Sequence, residues 1–155
     1  MNIDRFKFRA WLPEKKEMVQ VLIFERKETS IFAGDKRGVC AHVKYFVEKD
    51  FRETWELIEI EHLMQCTGAK DKNEKLIYEG DIVKNQNNIP CVVKWEEETG
   101  EWDIWNKEIY QQRINCKELE KPANETITLF YALCEAEIIG NIYENPELLE
   151  GEDDE

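Results

Sequence analysis

The chain predicts a mainly β fold, a β-rich α+β protein of antiparallel sheet and partly open barrel, with an additional N-terminal β portion and short helices. Three observations carry that expectation. Phe6, Phe8, Ala10 and Leu12 alternate with Arg5, Lys7, Arg9 and Trp11, the period-two pattern of a half-buried strand. A second alternating pair, Pro90 to Glu96 and Glu101 to Trp105, is joined through Thr99-Gly100, and glycine at a left-handed loop position suits a short β connection. Gly and Asn turns separate many short apolar runs, as they do in small sheets and barrels.

Taken in order, Pro13-Glu14-Lys15-Lys16 makes a turn after the first strand, and Met18 to Phe24 forms the second, closing an opening hairpin. Ser30 to Ala33 is a short strand candidate ending at Gly34-Asp35, and Val39 to Val47 mixes apolar residues without a clean period. Thr54 to Glu61 sets Trp55 and Leu57 on one side and Ile58 and Ile60 on the other, which suits a strand with both faces partly covered, the pattern alone also admitting a short helix. Thr67-Gly68, Lys70 to Lys75 and Tyr78 to Asp81 are turn-rich, so two tight turns flank a short strand from Leu76 to Tyr78. Ile77 to Lys84, followed by the Trp95/Trp102 hairpin, looks like the opening of an SH3-like barrel. Asn106 to Lys121 is polar enough for a short helix or an exposed loop, and Thr126 to Cys134 and Ile138 to Ile142 supply further strands. Asn145-Pro146-Glu147 offers a cap, a proline at the first helical position and an early acid, so a last helical turn is expected through Leu149. The parts expected are an N-terminal β portion over 1–62, a barrel-like portion over 63–149 that makes one compact unit with the first, and an acidic, disordered tail over 150–155.

Composition narrows the function classes. The 155 residues are 42% hydrophobic and 35% charged, long enough for a sizeable core without staples. The balance of 34 acidic against 21 basic residues gives a net charge of −13, a field that repels phosphate backbones and anionic membranes. The odd number of cysteines, five, contains no C-x-x-C pair. With no apolar signal stretch ahead of them, reduced thiols in the cytoplasm are expected. The longest apolar run, Met18 to Phe24, is too short to cross a bilayer.

Three ordered segments point to a family. They are Lys7-Phe8-Arg9-Ala10-Trp11 with Lys16-Glu17-Met18, then Leu63 to Val83 through Thr67-Gly68-Ala69-Lys70-Asp71 and Tyr78-Glu79-Gly80-Asp81, and finally Ile139-Gly140-Asn141-Ile142-Tyr143-Glu144-Asn145-Pro146 to Leu149. Together they resemble the YopX family of phage and prophage proteins. The resemblance implies a β-rich protein of phage origin in the bacterial cytoplasm, a homo-oligomer in one version, and it brings no established activity. Cys66 stands where the family usually carries an aromatic residue, and Glu74 where an Asn-Gly turn is common. Because glutamate resists a left-handed backbone, that turn is expected to use Asn73 as its left-handed residue or to lengthen.

No catalytic constellation stands out. Asp71, Glu79 and Asp81 are hard oxygen donors that could converge on a divalent cation, though Asp and Gly at such points ordinarily make the turns themselves. His42 and His62 lie near Cys40 and Cys66, but no pair has the spacing of a zinc finger, and free cysteines are mostly buried. Glu96 to Glu98 with Glu101 and Asp103 sit at a predicted hairpin tip, where water screens them. Arg5, Lys7, Arg9 and Trp11 share one strand face, either as a ladder for phosphates or as the solvent face of an edge strand. No cofactor is expected.

The function expected is a non-catalytic module that binds a host or phage protein, or itself, through an aromatic β surface supplied by Tyr78, Trp95, Trp102 and Trp105 with the Arg5 to Trp11 ladder. The alternatives are a nucleic-acid accessory, as a single-strand binder or an acidic mimic of a phosphate backbone, and more distantly a metal-assisted hydrolase.

Overall fold

The computed structural model describes residues 6–29, 38–47, 51–84, 87–97, 99–115 and 136–149. The strand candidates Ser30 to Ala33 and Thr126 to Cys134, the tail 150–155, and Arg5 and Glu98 lie outside them. The chain divides into two compact units, whose described parts run from Phe6 to Gln65 and from Cys66 onward.

The first unit is an antiparallel sheet of β1 (Phe8–Leu12), β2 (Glu17–Thr29), β3 (Gly38–Val47), β4 (Arg52–Glu59) and the start of β5 (Leu63–Lys70). The strand order is β4-β3-β2-β1-β5. The expected opening hairpin forms around residues 13–16, with Ala10 facing Val19 and Trp11 facing Met18. A 3-10 turn, Ile60–His62, leads from β4 into β5, so Thr54 to Glu61 is strand only as far as Glu59. Ala10, Leu12, Val19, Ala41, Val43, Tyr45 and Ile58 make the buried cluster, with Val21, Val47 and Leu63 packed against it. In the paired registers these residues alternate with neighbours on the opposite face, which is why period two was readable in β1.

A break in register lies in β2. Val21 pairs with Tyr45, but the next partner of β3, Lys44, pairs with Ile23, leaving Leu22 as an extra residue. One inserted residue exchanges the two faces of the strand beyond it. Val19 and Val21 therefore point to the core before the bulge, whereas Ile23 points away from it and is half exposed. Phe24 turns to the Phe8 side, where the two rings meet edge to face with centroids 4.7 Å apart.

In the second unit the far half of β5 pairs with β6 (Leu76–Tyr78), and β7 (Asp81–Lys84), β8 (Pro90–Glu96), β9 (Glu101–Asn106) and β10 (Glu137–Asn141) form a sheet of order β10-β7-β8-β9. The expected Trp95/Trp102 hairpin is present, with Gly100 at a φ of 68°. Both faces of this sheet are covered. Val83, Cys91 and Val93 pack with Ile77 and Ala136 on one side, and Ile82 and Val92 pack with Leu149, Tyr110 and Leu148 on the other. Three consecutive residues, Cys91, Val92 and Val93, are buried as a result, as in any strand covered on both sides. Asn106 to Lys121 holds a helix, α1 (Lys107–Asn115), capped by Asn106 Oδ1, which accepts from the Ile109 N–H at 2.9 Å. The last turn, Pro146–Leu149, is of the tighter 3-10 kind. Among the described strands both sheets are open and neither closes into a barrel.

The turn before β6 corrects the expectation for Glu74. Glu74 itself takes the left-handed backbone, at a φ of 64°. The cause is Asp71, whose Oδ1 accepts from the Asn73 and Lys75 N–H groups at 2.8 and 2.9 Å. The Asp71 N–H donates to Lys75 O at 2.9 Å and its carbonyl accepts from the Glu74 N–H at 3.0 Å. With four hydrogen bonds closing the loop on Asp71, the left-handed position falls on Glu74 whatever its side chain prefers.

Candidate interaction face

The most unusual surface lies on the face of β2, β3 and β4 opposite the first unit's core. Register places Leu57 against His42, Trp55 against Lys44 and Glu53 against Phe46, and the bulge in β2 brings Ile23 to Lys44 on the same face. Ile23, Phe46, Trp55 and Leu57 are each 41–52% exposed. Isolated exposed apolar residues are ordinary, but several on adjacent strands of one face mark a binding surface. The indole of Trp55 lies against the His42 imidazole, centroids 4.6 Å apart. Phe51, which precedes β4, is 84% exposed, meets the Phe46 ring edge to face at 6.5 Å, and has a left-handed φ of 50°. A bulky residue pays twice there, in backbone strain and in hydration.

Charge around the face is acidic. Lys44 is ion-paired with Glu53, and Glu25 and Glu59 are exposed. Glu59, Glu61 and His62 bring their ligand atoms within 4.8 Å of one another, with both glutamates open to solvent. Thr54 to Glu61 was expected to have both faces partly covered, yet the Trp55 and Leu57 side is open. Neither sequence period nor composition distinguishes a covered apolar face from an open one.

On the core side of the same strands, Lys15 Nζ donates to Tyr45 Oη at 2.6 Å and pairs with Glu56. The Tyr45 hydroxyl donates to Glu56 Oε2 at 2.9 Å. The hydrogen bond to Glu56, and then that to Tyr45, hold the Lys15 ammonium above its ordinary value, and burial pushes the Tyr45 phenol up. This triad ties the β1–β2 turn to β3 and β4.

The residues singled out from sequence are dispersed. Arg9 is only 8% exposed, and β1 is no edge strand: Arg9 has Gln20 of β2 on one side and the buried Met64 of β5 on the other. Lys7 precedes the strand and is exposed, and Trp11 is half-buried, so a continuous solvent ladder does not form. Tyr78 is buried, at 5% exposure, and offers no surface. Trp95 and Trp102 meet edge to face at 5.1 Å, whereas Trp105, opposite Val92, lies on the other face of their sheet. Trp95 and Trp102 share a face, but the four aromatic residues do not form one surface.

The acidic candidates are engaged in turns. Asp71 Oδ2 accepts from the Ile138 N–H at 3.2 Å, and burial, which opposes its ionisation, is outweighed by the N–H groups of Lys75, Ile138 and Asn73, so its carboxyl stays below the usual aspartate range. Asp81 Oδ2 accepts from the Tyr78 N–H at 2.8 Å, and Glu79 pairs with Lys94 at 2.8 Å. Glu96 is buried at the start of the hairpin tip, and Asp103 accepts from the Ile104 N–H. Cys66 and Cys91 are buried thiols; Cys66 Sγ accepts from the Gly68 N–H at 3.4 Å and Cys91 Sγ donates to Ile89 O at 3.6 Å.

These features define a β protein of two antiparallel units, the first presenting an apolar, acid-rimmed sheet face. The chain belongs to the YopX protein family, whose model matches residues 7–150. No curated protein matches it. Among solved structures it is similar to protein EF1440 from Enterococcus faecalis, at 22% identity and a TM-score of 0.48, over 93% of this chain and 97% of that one. No helix among the described residues is long and apolar enough to cross a membrane.

Proposed function

We propose that this protein is a non-catalytic interaction module that binds another protein through the outer face of β2, β3 and β4, acting in the cytoplasm of a bacterial cell that carries the prophage. The exposed set Ile23, Phe46, Trp55 and Leu57 supports it, because covering that set releases water from apolar surface that folding left open. Phe51 supports it further, as an aromatic side chain held outward at conformational cost is suited to anchoring a partner. The burial of Arg9 and the acidic rim argue against a phosphate-binding ladder.

Affinity capture from cells with the prophage induced, using native protein and the W55S/L57S variant as parallel baits, tests the proposal. The expected result is a protein held by native bait, lost from the variant, and bound again when both components are pure. The same proteins on both baits would overturn it.

A further inference from the structure

Resting on that interaction-module reading, we infer that the occupant of the face is an extended, basic segment of a partner protein, which adds to β4 as a further strand. Among the described strands β4 pairs only with β3, so its other edge offers a row of N–H and C=O groups of the kind a partner strand completes. The residues of β4 on the outer face run Glu53, Trp55, Leu57, Glu59. An added strand has its own side chains opposite these, which calls for apolar residues at Trp55 and Leu57 and for Lys or Arg at the two ends.

The sign of the charge chooses between occupants. Lys44 answers part of the charge of Glu53, while Glu59 and, two strands away on β2, Glu25 stay exposed. A second copy added about a twofold axis at Glu56 would face Glu53 with Glu59, like against like, in a chain already at −13. A polyanion meets the same field. A strand that carries a basic residue, two apolar residues and a second basic residue at every second position meets carboxylates at its ends and indole and isobutyl groups between them on that one face.

The probes are short labelled peptides titrated into the full chain by fluorescence anisotropy: one with Lys, Val, Val and Lys at every second position and Thr between them (the Lys/Val peptide), one with Glu in place of each Lys (the Glu/Val peptide), and a Lys/Val peptide of the same charge with a central Pro that removes a backbone donor. The Lys/Val peptide is expected to bind, to lose about tenfold in affinity against E53Q/E59Q protein, and to weaken with salt, as charge pairing at a rim does. These surface substitutions leave the fold intact, which circular dichroism checks. Equal binding of the Glu/Val peptide, or unchanged affinity in E53Q/E59Q protein, overturns the basic partner. Equal binding of the Pro peptide overturns strand addition. A dimer seen in sedimentation and lost in W55S/L57S protein replaces the partner with a second copy and overturns the inference, yet leaves the face as the binding surface. If native and W55S/L57S baits capture the same proteins, the module reading itself has failed.

Discussion

The carboxylate of Asp71 reaches the Ile138 N–H, 67 residues away in sequence, at 3.2 Å, while its other oxygen closes the turn on Asn73 and Lys75. One buried side chain thus fixes both the loop into β6 and the start of β10. In D71N protein one acceptor oxygen becomes an NH2 group, so a donor faces either the turn amides or Ile138. The expected loss is about 1–3 kcal/mol, the cost of leaving buried groups unsatisfied, measured by urea unfolding.

The same residue sets an acid limit. Its folded-state value lies below the ordinary 3.8, so its contribution is fully present above that value and is lost as pH falls through the depressed folded value. The stability gap between native and D71N protein is therefore expected to hold from neutral pH down to about 4, and to narrow below it. A gap independent of pH down to full protonation would contradict the ionised cap.

At Glu74 the left-handed backbone imposed by that turn burdens a residue with a Cβ. Its exposed ion pair with Lys70, at 2.9 Å, returns little. Glu74→Gly removes a strain of roughly 1–2 kcal/mol and adds back part of it as unfolded-state entropy. A net gain of up to about 1 kcal/mol is expected in thermal or urea unfolding, and a loss would show that the ion pair outweighs the strain.

The Lys15, Tyr45 and Glu56 triad sets the alkaline limit. A lysine raised above 10.5 contributes stability in full below that value and loses it as pH rises through the folded value. Tyr45 acts in the same direction: its phenol is held neutral above 10.0 while the unfolded phenol ionises. Because Lys15 is half exposed, E56Q is expected to cost no more than about 1 kcal/mol at neutral pH. That gap closes as pH rises through the folded lysine value, above 10.5, which urea titrations at neutral and strongly alkaline pH would detect.

How much of this was legible in the sequence depended on whether a local rule carried it. The β1–β2 turn and the β8–β9 hairpin were readable because alternation and the Gly100 turn are local signals. The bulge at Leu22 was not, since one extra residue in a β-branched strand changes no composition, yet it decides that Ile23 faces outward. Arg9 misled because charge suggested solvent, whereas β1 lies between two partner strands and Arg9 is 8% exposed. Aromatic content pointed to Trp95, Trp102 and Trp105, but Trp102 packs against the second unit's core, Trp95 is 41% exposed beside it, and Trp105 lies on the opposite face. The open face formed instead around Trp55 and Leu57, a difference set by tertiary covering rather than by pattern.

Phe51 provides the sharpest test of that face, because stability and binding should move in opposite directions there. Its left-handed φ and 84% exposure give the folded chain nothing that glycine would not supply with less strain. Were Phe51 structural, its ring contact with Phe46 would make Phe51→Gly destabilising. As a partner anchor, its loss instead raises or leaves unchanged the unfolding midpoint, within about 0.5 kcal/mol of native or above it, while capture of the partner falls about tenfold or more. The paired measurement is decisive: weakened binding with a lowered midpoint assigns Phe51 to the fold, and unchanged binding removes it from the face.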